Sequence, residues 1–594
     1  SGRSGQAHPD DGPAVRIDGR ATYVSRPPAR RLVGLFAVMA FAFAAISVRL
    51  VVLQVGQAQE LQDRAFDQRV RTNALPAQRG QILDRSGAGL ALSTPAADVY
   101  ADPTLVVDPW GTATRLSPAI GIAVPDLVDA LTSQGTFVYL ARQLDRPVSE
   151  RVEQMALPGI GLLPTSKRSY PAGPLASQVL GFVGTDGVGL TGLELAYQDA
   201  LAGTAGERTH ELGLSGQAIV GGVDEERSAI AGSSVVTTID RGLQFHAQTA
   251  LEEAVEQQGA RGGTVIVMDP ETGEILAMVS YPWFDPNTFA DARGTTYRNR
   301  AVTDAYEPGS TNKVITAAAA IQERAIDPGM RLTVPWTMPV GDYVIHDSHP
   351  HPPMQMTLGD IVAESSNIGA VKVADRLGSA TLATYLARFG LGQATGVGFP
   401  GESNGIMLPL DQWNDTSLAP MGYGQGIGAT PLQMVTVYAT IANDGRWIQP
   451  KLVRGTIAPE GPLDEADGQA SRRVVSAETA QMVTRMLAYA VDHGTGSKAQ
   501  IPGYQVAGKT GTARIPTGDG SGYHEGQYIA SFIGYLPAGD PEVVVAAILD
   551  RPASVYGSLA AAPLFRRVAL AAITRLGITP AERVHLPPHA LPVG

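Results

Sequence analysis

Between Leu32 and Val48 the chain reads LVGLFAVMAFAFAAISV, 17 residues without a charge, and LVVLQV continues the run after Arg49. A bilayer-spanning helix needs about 20 mainly apolar residues, and an arginine near its end can snorkel to the interface. The segment therefore predicts a transmembrane anchor over 32–55. Arg16, Arg20, Arg26, Arg30 and Arg31 precede it and few basic residues follow closely, so the positive-inside rule expects a cytoplasmic N-terminus with everything after about residue 56 outside. A cleaved signal peptide is the rival reading, because Ala42-Phe43-Ala44 resembles a cleavage site. Its apolar core would exceed the usual ~7–15 residues, and cleavage there would leave an apolar new terminus.

A chain of 594 residues exceeds one core and implies several domains. With 44% hydrophobic and 17% charged residues it reads as globular, and a net charge of -12 argues against broad nucleic-acid binding. Cysteine is absent, which excludes disulfides, thiolate metal sites and a cysteine nucleophile.

Residues 1–31 are rich in Gly, Pro, Ser and Arg and read as a disordered cytoplasmic tail. Gln57 to Arg71 reads as a polar helix leaving the membrane. Residues 56–230 carry short strand-like runs broken by Gly and Pro, with helix near 191–202, an irregular mixed module. From about Ser233 the signals sharpen. GTVIVMDPETGEILAMVS (263–280) predicts a β-hairpin, and strands follow near 504–515, 528–537 and 542–550. Helical patterns occupy 311–324, 357–376 and 430–443, and a last apolar helix spans about 558–576. Strands bracketing a helical insert imply an α+β domain over 231–577 with an antiparallel sheet flanked by helices. Residues 578–594 form a short proline-rich tail.

Lysine is rare, six in the whole chain, yet Lys313 sits three residues after Ser310 in YEPGSTNKVITAAAAIQ (306–322). Pro308-Gly309 breaks the chain before a helix, so Ser310 is expected at its N-terminus with Lys313 one turn on, on the same face. A serine hydroxyl needs a base to become a nucleophile, and a lysine serves if burial and positive neighbours lower its pKa. Alone, such a pair is better read as a capping serine and a solvated lysine. Ser365 and Asn367 in AESSNIG (363–369) offer a hydroxyl and an amide for proton relay and substrate holding, although a helix cap explains them as well. AGKTGTA (507–513) places Lys509 on a strand as fixed positive charge, with Thr510 and Thr512 able to bind a carboxylate. Gly511 there has no Cβ to obstruct an acyl group against the backbone. The segment lacks the first glycine of a phosphate loop.

Ser-x-x-Lys, Ser-x-Asn and Lys-Thr-Gly in this order are the motif set of serine β-lactamases and penicillin-binding proteins. The chain resembles the penicillin-binding protein family from the anchor to about residue 577. NRAVTDAYEPGST (299–311), GYGQGIGATPLQM (422–434) and VAGKTGTA (506–513) look like the class B transpeptidase domain. RGQILDRSGAGLALS (79–93), RSYPAGPLASQVLGFVG (168–184) and GLTGLELAYQDALAG (189–203) resemble the class B pedestal, or dimerisation-like, domain. No stretch before 230 looks like a glycosyltransferase. Length and pedestal are most similar to the septal cell-division transpeptidase, the FtsI type, with the elongation type as alternative. Asn312 departs from the pattern, since many relatives carry Phe or Met there.

The resemblance implies that Ser310 attacks the D-Ala–D-Ala carbonyl of a peptidoglycan stem peptide and that Lys313 takes its proton. Ser365 and Asn367 would relay the proton and hold the substrate, and Lys509, Thr510 and Thr512 would face the substrate or β-lactam carboxylate. Backbone N–H groups of Ser310 and Thr512 would form the oxyanion hole. It implies no cofactor and no metal. Its partners would be stem peptides, β-lactam antibiotics, a polytopic glycan polymerase of the FtsW type and bitopic division proteins. The protein is expected in the bacterial cytoplasmic membrane, at the division septum, with its catalytic domain outside. A non-enzymatic β-lactam sensor or divisome scaffold, and a β-lactamase, are weaker alternatives: the first would carry more membrane helices and the last would not need the pedestal. His346, His349 and His351 in IHDSHPHPP suggest a metal site in outline, but the prolines favour a loop and no ion is expected.

Overall fold

The computed structural model of the chain describes residues 16–17, 20–21, 29–56, 69–211, 219, 222–292, 294–466, 468–518 and 522–590. The expected tail thus lies mostly outside the described residues; within it, Arg16–Ile17 and Arg20–Ala21 pair antiparallel, and Arg30 and Arg31 already belong to a helix. Residues 57–68 of the expected polar helix also lie outside. That helix does not extend to Arg71, because Val70–Leu75 is a strand.

Contacts divide the chain into two compact units, 1–75 with 206–228, and 76–205 with 229–594. In the first, helix α1 (Ala29–Val51) runs into a π-helical turn, Val52–Gly56. The apolar stretch Arg30–Val55 has mean hydropathy 2.4, and its apolar window contains no buried residue. At 1.5 Å per residue α1 is roughly 35 Å long, enough to cross a hydrocarbon core of about 30 Å. It fits a single-pass membrane anchor. A three-stranded antiparallel sheet, Val70–Leu75, Gly206–Glu211 and Asp224–Arg227, completes this unit.

In the second unit a seven-stranded sheet runs across residue 230. Its order is Leu463–Glu465, Val453–Ile457, Ser234–Thr237, Ile82–Leu83, Gly89–Ala101 and Val138–Asp145, with Ile160–Ser169 also paired to Gly89–Ala101. Below it, Glu194 is wholly buried and accepts from Arg79 Nε and Arg168 Nε, each at 2.7 Å, and from Tyr170 OH at 3.2 Å. Two guanidiniums on one carboxylate fix three separated segments of the irregular module to one point. The helix expected over 191–202 is two pieces, Gly192–Ala196 and Gln198–Ala202, broken at Tyr197.

The site-bearing part is built on a second sheet. Helix α2 (Arg241–Gln258), capped by Asp240, leads into the hairpin β1 (Gly262–Met268) and β2 (Ile275–Tyr281). The helical insert follows: α3 (Lys313–Gln322), α4 (Leu358–Ala363), α5 (Asn367–Leu377), α6 (Pro431–Ala442) and α7 (Ala477–Asp492). The chain then returns through β3 (Ala507–Pro516), β4 (Tyr523–Leu536) and β5 (Val543–Asp550) and closes with α8 (Gly557–Leu576). The five strands lie antiparallel in the order β2-β1-β5-β4-β3, which leaves β3 at the edge. Period-two alternation sorts the strand side chains. Val265, Val267, Val545, Ala547 and Phe532 join the core under α2 and α8, whereas Ile266, Met268, Val544, Ala546 and Tyr535 face the helical insert. The C-terminal stretch is not a free tail, since Leu586 and Ala590 are buried in the larger core.

Helix α3 crosses the middle of the insert, and every residue from Lys313 to Ala320 is buried. Its four alanines leave room for neighbouring helices on all sides, which a strict amphipathic pattern would not. Because Glu194 neutralises two buried guanidiniums, Glu194→Ala should destabilise the protein by about 3–5 kcal/mol in denaturant unfolding, far more than loss of an exposed ion pair.

Candidate active site

Three segments converge on one cleft between the insert and β3. The first is the turn Gly309–Asn312, a 3₁₀ turn that leads into α3. Ser310 lies in this turn and not in the α-helix proper. Gly309 has φ 55°, and a Cβ there would fall 2.9 Å from Thr512 O, so only glycine lets the Ser310 turn lie against β3. Lys313 begins α3, 2% exposed, with its Nζ 3.1 Å from Ser310 Oγ.

The second segment joins α4 to α5. The helix expected over 357–376 breaks at Ser365, which takes a left-handed backbone with φ 61°. Ser366 then caps α5 by accepting from Gly369 N. The break turns Ser365 and Asn367 toward Lys313: its Nζ lies 2.5 Å from Ser365 O, 2.9 Å from Asn367 Oδ1 and 3.4 Å from Ser365 Oγ. A neutral amine has two hydrogens and one lone pair. With the hydrogens given to those two fixed carbonyl-type oxygens, the lone pair is left for Ser310 Oγ. The electrostatics agree. Burial, and then the nearby charge of Lys509, hold the Lys313 pKa well below lysine's ordinary value, against a smaller opposing pull from Asp347.

The third segment is β3. Lys509 is 1% exposed and its Nζ donates to Ser365 Oγ at 2.9 Å and to Thr510 O at 3.3 Å. Its charge is not fixed, as the sequence led us to expect. Burial brings its pKa down to about 7, so without a bound anion it is about half protonated at neutral pH. Thr510 Oγ1 is bonded to Thr495 Oγ1 at 3.0 Å, and Thr512 Oγ1 accepts from Gly557 N at 3.2 Å, at the start of α8. For Gly511 the structure adds a second requirement beside the expected one. A Cβ would meet Ser531 Oγ at 2.3 Å and Thr311 Cγ2 at 2.9 Å, so the bare backbone is needed for internal packing. Asn312 is fully buried, its Nδ2 donating to Met421 O at 3.0 Å.

All eight sequence-derived site residues therefore lie on this cleft or on the strand that borders it. Sequence reasoning missed several that hold them. Asp347 accepts from Asn367 N at 2.6 Å and from Ser366 Oγ at 2.7 Å, across twenty residues of chain, so no local capping signal marks it. Glu307 accepts from Gly426 N at 2.8 Å and from Tyr523 OH at 3.2 Å, tying the segment before Ser310 to a loop and to the start of β4. Of the three histidines, His351 faces Asp347 and His349 stacks on Tyr556 with ring centroids 6.3 Å apart.

Lysine 509 gives a test with a defined sign. Its folded pKa of about 7 lies below the ordinary 10.5, so between those values the unfolded chain binds more protons and stability rises with pH. Lys509→Met should melt higher than wild type at pH 6, by roughly 2–4 °C, with the gap narrowing as pH rises past 7 toward 10.5.

Residues 263–570 match the family Penicillin binding protein transpeptidase domain, and residues 74–237 match Penicillin-binding Protein dimerisation domain. Penicillin-binding protein PbpB of Mycolicibacterium smegmatis is 35% identical over 91% of this chain and 89% of its own length. Peptidoglycan D,D-transpeptidase FtsI of Escherichia coli is 31% identical, over 91% and 90%. Among solved structures, penicillin binding protein 3 of Mycobacterium tuberculosis complexed with aztreonam is similar with a TM-score of 0.69 at 32% identity, covering 86% of this chain and 99% of that one. The chain belongs to the penicillin-binding protein family, and within it to the class B members that join a dimerisation domain to a transpeptidase domain.

Proposed function

We propose that this protein is a membrane-anchored serine D,D-transpeptidase that crosslinks peptidoglycan stem peptides during septal wall synthesis and is a β-lactam target. The observation that carries this reading is the Lys313 amine, buried, committed by its hydrogens to Ser365 O and Asn367 Oδ1, and 3.1 Å from Ser310 Oγ.

The chemistry follows from these distances. Ser310 Oγ attacks the carbonyl carbon of the penultimate D-Ala while its proton passes to Lys313 Nζ. Backbone N–H groups of Ser310 and Thr512 stabilise the oxyanion; the close approach of Gly309 to Thr512 supports their pairing across the cleft. The proton moves from Lys313 to Ser365 Oγ and on to the leaving amine as the C–N bond breaks, releasing D-Ala and leaving an ester on Ser310. Lys509, bonded to Ser365 Oγ, keeps that hydroxyl oriented and takes up its own proton when the substrate carboxylate arrives beside Thr510 and Thr512. The amine of a second stem peptide then attacks the ester, its proton returns along the same path, and Ser310 is regenerated. β-Lactams enter the first half and stop there, because the opened ring retains its leaving amine.

The septal assignment rests on the named relatives, among them the FtsI of Escherichia coli, which this chain matches along nearly its whole length. The basic residues ahead of α1 support a cytoplasmic N-terminus and an extracytoplasmic catalytic domain. The anchor would meet a polytopic glycan polymerase of the FtsW type and bitopic division proteins in the membrane.

Two measurements test the reading. Labelled penicillin should acylate the wild type and leave Ser310→Ala unlabelled, whereas Lys313→Ala should slow acylation by about 10²–10⁴-fold; labelling of Ser310→Ala would sink the assignment. A fluorescent fusion should collect in a midcell ring, and lateral patches would move the protein to wall elongation.

A further inference from the structure

The loop after the exposed hairpin Thr337–Val340 and Tyr343–His346 carries charged and titratable groups that the chemistry above does not use. Asp347 is 6% exposed and each of its oxygens is doubly engaged. Oδ1 accepts from Asn367 N at 2.6 Å and Ile368 N at 3.1 Å; Oδ2 accepts from Ser366 Oγ at 2.7 Å and faces His351 Nε2 at 3.2 Å. Two of these donors are N–H groups of the first turn of α5, which have no partner within the helix. A carboxylate there is also favoured by the helix dipole.

The same loop sets the side chain of Asn367. His346 O accepts from Asn367 Nδ2 at 3.2 Å, which leaves Oδ1 for Lys313. Ser365, next to these residues, holds a left-handed conformation that an L-residue adopts only when its surroundings impose it. Asp347 is thus the group that holds α5 at the depth where Ser365 and Asn367 meet Lys313.

His351 completes the contacts of that carboxylate. Its Nδ1 faces Pro352 O at 2.7 Å and its Nε2 faces Asp347 Oδ2, so both ring nitrogens point at acceptors. A neutral imidazole carries one N–H and satisfies one of them; the imidazolium satisfies both. We propose that Asp347 and His351 form a positioning pair for the Ser-x-Asn segment, with His351 acting as an imidazolium that never touches the substrate. The proposal rests on the reading of Ser310 as the acylated nucleophile.

The charged neighbours make the pH dependence definite. Among the described residues, Asp347 is the ionisable group that acts on His351. On the other side of Asp347, Lys313 from α3 feels its charge, and Lys509 from β3 acts on Lys313 in turn; His346 Nδ1 lies 3.3 Å from Asp347 O. The Pro352 carbonyl first, and then Asp347, raise the His351 pKa above 6.5 against a lowering by burial. His351 therefore supports the site fully below about 6.5, its unfolded value, and the support is lost as pH rises through the raised folded value. Lys313 works the other way, since it must shed its proton to act as base. Acylation should rise and then fall with pH, and loss of the His351 proton adds to an alkaline limb that Lys509, with its pKa of about 7, also shapes.

The test is acylation of the full-length chain in detergent by labelled penicillin between pH 5.5 and 9.5, with non-covalent affinity separated from the acylation rate constant. Asp347→Asn should lower that rate constant about ten- to a hundredfold while changing affinity less than threefold. His351→Gln, which keeps a donor but not a charge, should slow acylation less than tenfold at pH 6.5 and remove the His351 part of the alkaline limb, leaving the part set by Lys509. His351→Gln that retains the wild-type alkaline limb overturns the proposal, whether or not Asp347→Asn folds, and so does an Asp347→Asn chain that acylates within twofold of wild type. Labelled wild type with unaffected variants removes only the positioning pair; wild type unlabelled at Ser310 removes the nucleophile as well.

Discussion

Lys313 and Lys509 both reach the hydroxyl of Ser365, at 3.4 and 2.9 Å, and both are buried. Two amines so placed cannot both carry a proton comfortably, because each is desolvated and each repels the other. The rest of the site is arranged around that conflict. One amine sits on a helix whose alanines let it run through the middle of the insert, the other on the edge of a sheet, so separate halves of the domain hold them. Asp347 supplies one negative charge near enough to moderate Lys313 without neutralising it by direct contact. The result is one lysine whose burial and charged neighbour favour its neutral amine, and a second that can take up a proton from solvent when an anion lies beside it.

Much of this was legible in the chain. The five strands and the closing helix follow from β-rich alternation and an uninterrupted apolar helix pattern. They appeared within a few residues of expectation, except that β4 begins at Tyr523, five residues earlier than expected. The order of the three motifs pointed to the cleft before any geometry was known. Helix geometry also brought Ser310 and Lys313 together, although Ser310 sits in the tighter turn ahead of α3.

Other features left no local trace. The continuous helical pattern over 357–376 conceals the break at Ser365, because a left-handed serine is imposed by tertiary contacts and not by propensity. Asp347 serves a helix that begins twenty residues away, so its capping role is invisible to any short window. The charge of Lys509 depends on burial, which a single strand's sequence does not reveal. The seven-stranded sheet that crosses residue 230 pairs strands more than 150 residues apart, as Ile82 with Val235, a pairing that alternation alone does not specify.

Among the described residues, strand β3 has a neighbouring strand on one side only, and its other edge borders the Ser310 turn. An extended peptide laid there would be held as one more strand, by main-chain groups that every residue type provides. Recognition of that kind is hard to mutate away. Exchange of a side chain on β3 leaves the peptide groups in place, and a bend of the strand large enough to dislodge an inhibitor would dislodge the stem peptide too. Escape from such an inhibitor has to come from features the natural peptide does not share, such as the walls beside the strand or the lifetime of the acyl-enzyme.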